Sequence, residues 1–130
     1  MKQMKRGLLF AVTVMIALSI VGCGQKQTEY PSKDIELVIP WSAGGGTDVA
    51  TRLYASYIEK ELNATINAVN ITGGSGTVGL TQAKAADPDG YTVALFTFDV
   101  LTSEALGLAD LSFKDFELIS TFSIQPTVYV

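Results

Sequence analysis

Two glycine-rich segments, 43–46 and 73–79, each stand where a short apolar run gives way to helical spacing, and this repeated junction constrains the fold more than anything else in the chain. The run Ile35 to Ile39 reads as a strand ending at Pro40, and Thr65 to Ile71, rich in β-branched residues, as a second. Between them, Val49, Leu53, Tyr57, Ile58 and Leu62 recur at helical spacing over Thr47 to Leu62, with Arg52, Ser56, Glu59 and Lys60 on the other side. Val78 to Ala86 is a second helix, closed by the turn Asp87-Pro88-Asp89-Gly90, and Tyr91 to Phe98 a third strand. Leu101 to Leu108 reads as a short helix, and Phe116 to Phe122 and Thr127 to Val130 as further strands. Strand and helix alternating at this interval specify an α/β fold, a parallel sheet with helices on its faces. Right-handed crossovers then bring the carboxyl ends of the strands, where such sheets bind ligands, to one edge.

Both glycine segments fall on that edge. Glycine lets the backbone approach a ligand and take positive φ. The helix that follows aims unpaired N–H groups and about half a positive charge at the same point. Two such loops on neighbouring strands can clasp one anion, each hydrogen bond to a charged group contributing roughly 1.5–3 kcal/mol. A small carboxylate fits this description without a lysine.

The second loop also matches a dinucleotide fingerprint, Gly74-x-Gly76-x-x-Gly79, with Asp99 20 residues beyond Gly79 at a strand end. Against that reading, the unit is the second strand–helix pair rather than the first, and the first loop is left unexplained. The start of the chain also points to export, away from any supply of nicotinamide cofactor.

That start reads as a leader. Lys2, Lys5 and Arg6 precede an apolar stretch from Gly7 to Gly22, broken only by Thr13 and Ser19 and shorter than the ~20 residues that cross a bilayer. Ile20-Val21-Gly22-Cys23 resembles a lipobox, in which the cysteine sulfur takes a diacylglycerol and becomes the new N-terminus. Cys23 is the only cysteine in the chain. Residues 1–22 are thus expected to be a signal peptide, 23–32 a polar tether, and 33–130 the α/β domain. Residues 127–130 have no cap, turn or polar tail after them, which reads as a strand cut in mid-course and the sequence as a fragment.

Of nine basic residues three lie in the leader, so six remain against 13 acidic ones, a net charge of −7. No basic patch exists for nucleic acid or anionic lipid head groups. With no histidine, no second cysteine and no paired carboxylates, the chain offers neither a metal cluster nor the usual general base, and no cofactor or enzymatic role is expected.

Five segments, in order, resemble the substrate-binding proteins of tripartite tricarboxylate transporters, the Bug-type receptors. They are Tyr30-Pro31-Ser32-Lys33-Asp34-Ile35, Pro40-Trp41-Ser42-Ala43-Gly44-Gly45-Gly46-Thr47-Asp48, Gly73-Gly74-Ser75-Gly76-Thr77-Val78-Gly79, Ala85-Ala86-Asp87-Pro88-Asp89-Gly90-Tyr91-Thr92 and Phe113-Lys114-Asp115-Phe116-Glu117-Leu118-Ile119. The resemblance implies a two-lobed periplasmic-binding-protein fold, of which 33–130 would be most of the first lobe of the substrate-binding domain, with the second lobe missing. It also implies a monomeric, lipid-anchored receptor outside the cytoplasm that passes a small carboxylate to small and large membrane subunits.

Carried over to this sequence, the ligand would be gripped by Ala43, Gly44, Gly45, Gly46 and Thr47 on one side and Gly74, Ser75, Gly76 and Thr77 on the other. Asp48 matches a loop aspartate that either contacts the ligand or stabilises the helix start. Trp41 stands where the family more often has phenylalanine and reads as an apolar wall of the pocket. Asp99 departs from the uncharged residue expected there and argues against a purely tricarboxylate guest. Arg52 reads as a solvated surface residue. The rival readings are a same-fold sensory receptor signalling to a two-component kinase and an exported enzyme acting on carboxylates.

Overall fold

The computed structural model describes residues 29–121 and 123. The leader, Cys23, the first part of the tether and the proposed strand at 127–130 lie outside these residues.

Three strands form a parallel sheet in the order β2-β1-β3, with β1 at Ile35–Ile39, β2 at Ile66–Asn70 and β3 at Thr92–Ala94. Ile35 pairs with Ile66 and Ile39 with Asn70 on one side, and Glu36 with Thr92 and Val38 with Ala94 on the other. Helix α1 (Gly46–Leu62) joins β1 to β2, and a 3-10 turn (Gly74–Gly76) running into α2 (Thr77–Lys84) joins β2 to β3. Helix α3 (Phe98–Ala105) follows β3, and a second 3-10 turn, Phe113–Asp115, comes after it.

Because the strands are parallel, the three junctions that follow them share one edge, as the alternation of elements requires. Among the described residues no helix is long and apolar enough to cross a membrane.

Local chemistry explains where the elements stop. Helix α1 ends at Asn63, which takes the left-handed conformation (φ 48°) and returns its N–H to Glu59 O. Helix α3 ends in a Schellman closure: Gly107 (φ 66°) donates to Glu104 O at 3.0 Å and Leu108 to Ser103 O at 2.9 Å. This stop at Gly107 puts the helix three residues earlier than the apolar spacing suggests.

The sheet has apolar packing on both faces. Leu37 and Ile39 pack with Ala55 of α1, and Trp41, Ile66, Ala68, Val93 and Leu95 gather around them. Leu80 of α2, Val100 of α3 and Leu111 form a second cluster with Ala94, Phe96, Ala109 and Phe116. Phe96 and Phe116 meet edge to face at 5.8 Å between centroids.

Three expectations need correction. The third strand is shorter than 91–98: Leu95 N–H still bonds Val38 O at 2.9 Å, but Thr97 becomes the extended cap of α3 and Phe98 its first residue. Residues 116–121 form no strand; Phe116 turns into the core while Leu118 and Ile119 stay exposed, with no neighbouring strand beside them among the described residues. Helix α1 buries Asp48, Thr51 and Ala55, whereas the apolar stripe Val49, Leu53 and Tyr57 is 59, 58 and 60% exposed.

The described end of the expected tether is tied down. Tyr30 donates its hydroxyl hydrogen to Gly90 O at 2.7 Å, and Ser32 N–H donates to the Tyr91 hydroxyl at 2.8 Å. Lys33 pairs with Asp89 at 3.2 Å.

Candidate functional site

The first loop runs from Trp41 to the start of α1 and has little internal bonding of its own. Gly45 N–H reaches Ser42 O at 3.3 Å, and Gly44 takes φ 78°. Its shape comes instead from Asp48 in the first turn of α1, only 4% exposed. Asp48 Oδ2 accepts Gly44 N–H at 2.8 Å, and Oδ1 accepts Arg52 Nε at 2.8 Å and Asn70 Nδ2 at 2.9 Å. Asn70 Nδ2 also donates to Trp41 O at 2.8 Å, and Arg52 Nη2 donates to Asn70 Oδ1 at 2.7 Å. The Gly44 amide, then Asn70, then Arg52 hold the Asp48 carboxyl below the usual carboxylate range, against the opposing effect of burial.

Asp48 is therefore turned inward, and both its oxygens are engaged within the protein. That arrangement favours the helix-start role over ligand contact. Arg52 is not merely solvated; it ties helix to strand.

This junction also leaves backbone donors without intrahelical partners. The first intrahelical bond of α1 runs from Val49 N–H to Gly45 O at 3.0 Å, so the N–H groups of Gly46, Thr47 and Asp48 precede it. No side chain caps them. Ala43, Gly44, Gly45 and Gly46 are all exposed and Thr47 half-buried, so this loop presents open backbone. Trp41 is half-buried and packs on Leu37, Ile39 and Ala55, with its Nε1 buried and unpartnered.

The second loop is built differently. Gly73, Gly74, Ser75 and Gly76 all have positive φ, at 127°, 54°, 54° and 93°. Ser75 is the only one of the four that carries a side chain, and it is exposed. Gly76 N–H bonds Gly73 O at 3.0 Å, Thr77 N–H bonds Gly74 O, and Val78 N–H reaches Gly73 O at 3.4 Å. Thr77 Oγ1 also donates to Gly74 O at 2.8 Å. Much of this loop's donor capacity is used internally, so the two loops are not the equivalent jaws that the sequence suggests.

Gly76 packs beside Pro40 and Val100, and Gly79 lies against the strand end: a Cβ there would stand 2.6 Å from Ile71 O and 3.2 Å from Pro40 Cβ. The last glycine of the apparent dinucleotide fingerprint thus serves close helix–strand packing.

The third junction joins the same edge. Thr97 caps α3 with an extended backbone, and its Oγ1 is buried without a partner. Phe98 is 78% exposed and Asp99 lies exposed in the first turn. Thr97 and Asn70 carry no glycine or charge signal in the sequence. The one hint for Asn70 is a polar amide closing a β-branched run.

No family model matches the chain. A UPF0065 protein from the TAR-I ttuE-ttuC' intergenic region of Agrobacterium vitis is 31% identical over 123 residues, 93% of this chain and 36% of that protein. BugT of Bordetella pertussis is 28% identical over 88 residues, 68% of this chain and 27% of BugT. The chain thus spans roughly a third of the length of these relatives.

Among solved structures, a ligand-free TctC solute-binding protein from Polaromonas matches with a TM-score of 0.65 and 41% identity, over 67% of this chain and 30% of the other. R. palustris Rpa4515, solved with adipate, matches with a TM-score of 0.51 and 28% identity, over 52% and 23% of the two chains. Over the residues it spans, the chain thus has UPF0065/Bug proteins as its homologues and the parallel α/β lobe of TctC-type periplasmic binding proteins as its fold.

Proposed function

We propose that this chain supplies the anion-holding face of the first lobe of an extracytoplasmic solute receptor. The receptor captures a small carboxylate and delivers it to the small and large membrane subunits of a tripartite tricarboxylate-type transporter. The observation that carries this reading is the start of α1, where the uncapped N–H groups of Gly46, Thr47 and Asp48 open a 17-residue helix behind a loop of exposed backbone. Such a helix end concentrates about half a positive charge and favours a bound anion. Ser75 offers an exposed hydroxyl from the neighbouring junction, and the exposed ring of Phe98 at the third suits the methylene chain of a guest.

A dicarboxylate fits better than a tricarboxylate. Asp99 places a negative charge at the third junction, which disfavours a further carboxylate there. The adipate carried by the R. palustris neighbour supports the same class. Retention at the membrane follows from the lipobox at Ile20-Val21-Gly22-Cys23, with the diacylglycerol on Cys23.

The test is a titration of the chain with adipate, citrate and uncharged adipamide, followed by calorimetry and by amide shifts. Adipate is expected to move the Gly46 and Thr47 amides first and the Gly74 to Thr77 amides with them, while adipamide moves neither. If neither acid moves these amides, the reading is lost. Incorporation of labelled fatty acid, abolished by Cys23→Ser, tests the anchor.

A further inference from the structure

We infer that Asn70 and Arg52 are positioning residues that fix the anion-holding loop from outside it, acting through Asp48. Asn70 closes β2, three residues before Gly73, yet its side chain reaches back to the preceding junction. Its two amide hydrogens go to two places that bracket the first loop, Trp41 O at its entrance (2.8 Å) and Asp48 Oδ1 at its exit (2.9 Å). Its oxygen accepts Arg52 Nη2 at 2.7 Å, and Arg52 Nε holds the same Asp48 oxygen at 2.8 Å.

The Asn70 side chain thus touches both ends of the loop. Asp48 in turn holds the middle of the loop through Gly44 N–H. Only a primary amide can donate twice and accept once from this point; a carboxylate of the same shape has no hydrogen to give. The position of the first loop is thereby referred to the end of the strand that feeds the second. This inference rests on the carboxylate reading of the edge only for its effect on affinity, not for its effect on the loop.

The experiment compares Asn70→Ala and Arg52→Ala with Asn67→Ala by amide hydrogen exchange and by titration with adipate, all in the full chain. Asn67 lies in the same strand and its side chain bonds the exposed Asp34 at 3.1 Å, away from the loop, so it serves as the control. In N70A the Gly44 amide is expected to exchange about tenfold faster or more, and adipate affinity to fall by a similar factor, as loss of hydrogen bonds to a charged group implies. The Leu95 amide, bonded to Val38 O in the sheet, keeps its wild-type rate. R52A shows the same pattern in smaller degree, R52K lies between it and wild type, and N67A changes nothing.

Gly44 exchanging at the wild-type rate in N70A overturns the inference. So does a parallel rise at Gly44 and Leu95, which marks a general loss of stability. Should N70A fail to fold, R52A carries the same comparison. If the wild-type chain takes up no adipate, the carboxylate reading fails while the exchange rates still decide the positioning role.

Discussion

Gly44 N–H and the Asp48 carboxylate meet at 2.8 Å across the turn that opens α1, so the helix's first acidic side chain folds back onto the loop before it. This contact depends on the charged form of Asp48, whose pKa is lowered first by the Gly44 amide and then by Asn70. A carboxyl with a depressed folded-state pKa stabilises the fold above its unfolded pKa, and that stability is lost as pH falls through the folded value. Melting temperature is therefore expected to fall as pH drops through about the unfolded Asp pKa of 3.9 and below it. Asp89 and Asp115, lowered chiefly by the Tyr91 amide and by Lys84 respectively, act in the same window. The part due to Asp48 is the difference between wild type and Asp48→Asn, which is expected to be less stable at pH 7 and flatter across the acid range.

Gly79 admits no side chain. A Cβ would press on the Ile71 carbonyl and on Pro40, and both neighbours are backbone or ring atoms fixed at the end of a strand. Gly79→Ala is expected to cost about 1–3 kcal/mol in urea denaturation, the usual range for overpacking. An unchanged midpoint counts against the close approach of α2 to the sheet.

Ser75 sits at φ 54°, ψ 38°, a conformation that costs an L-residue about 1–2 kcal/mol. Ser75→Gly is expected to raise stability by up to about 1 kcal/mol once the extra freedom of glycine in the unfolded chain is deducted. Ser75→Val should lower it, and denaturant midpoints of the two variants should move in opposite directions. If the serine hydroxyl meets the guest, the glycine variant also binds adipate more weakly despite its greater stability.

The outward stripe on α1 predicts tolerance where sequence alone predicts damage. Leu53 is 58% exposed, so Leu53→Gln should change unfolding free energy by less than about 0.5 kcal/mol. Leu80, fully buried between the sheet and α3, should cost about 2–5 kcal/mol on truncation to alanine. Equal losses in the two variants are incompatible with the packing of α1.

The alternation of strands and helices was legible because it depends on local periodicity, and β1, β2 and the two glycine junctions fall where the residues suggest. Helix α3 was misplaced because apolar spacing at Leu101 to Leu108 outweighed the stop at Gly107. The buried face of α1 was misread for a different reason: Asp48 and Thr51 lie inward because a tertiary partner, Asn70, and the turn's own carbonyl at Thr47 satisfy them. Hydrophobic spacing cannot report a polar face that has found its bonds elsewhere. The site was legible as two loops but not as unequal ones, since the internal bonding of Gly73 to Val78 depends on four successive positive φ values that only coordinates reveal.

The sheet order also governs how the molecule is made. The earliest described strand, Ile35–Ile39, is the middle one, so each of its flanks waits for a segment synthesised later. Until Thr92 to Ala94 pair with it, the middle strand keeps a bare apolar side, the kind of surface that chaperones and aggregates compete for. Closure of the described sheet on its second side thus depends on three residues, Thr92 to Ala94.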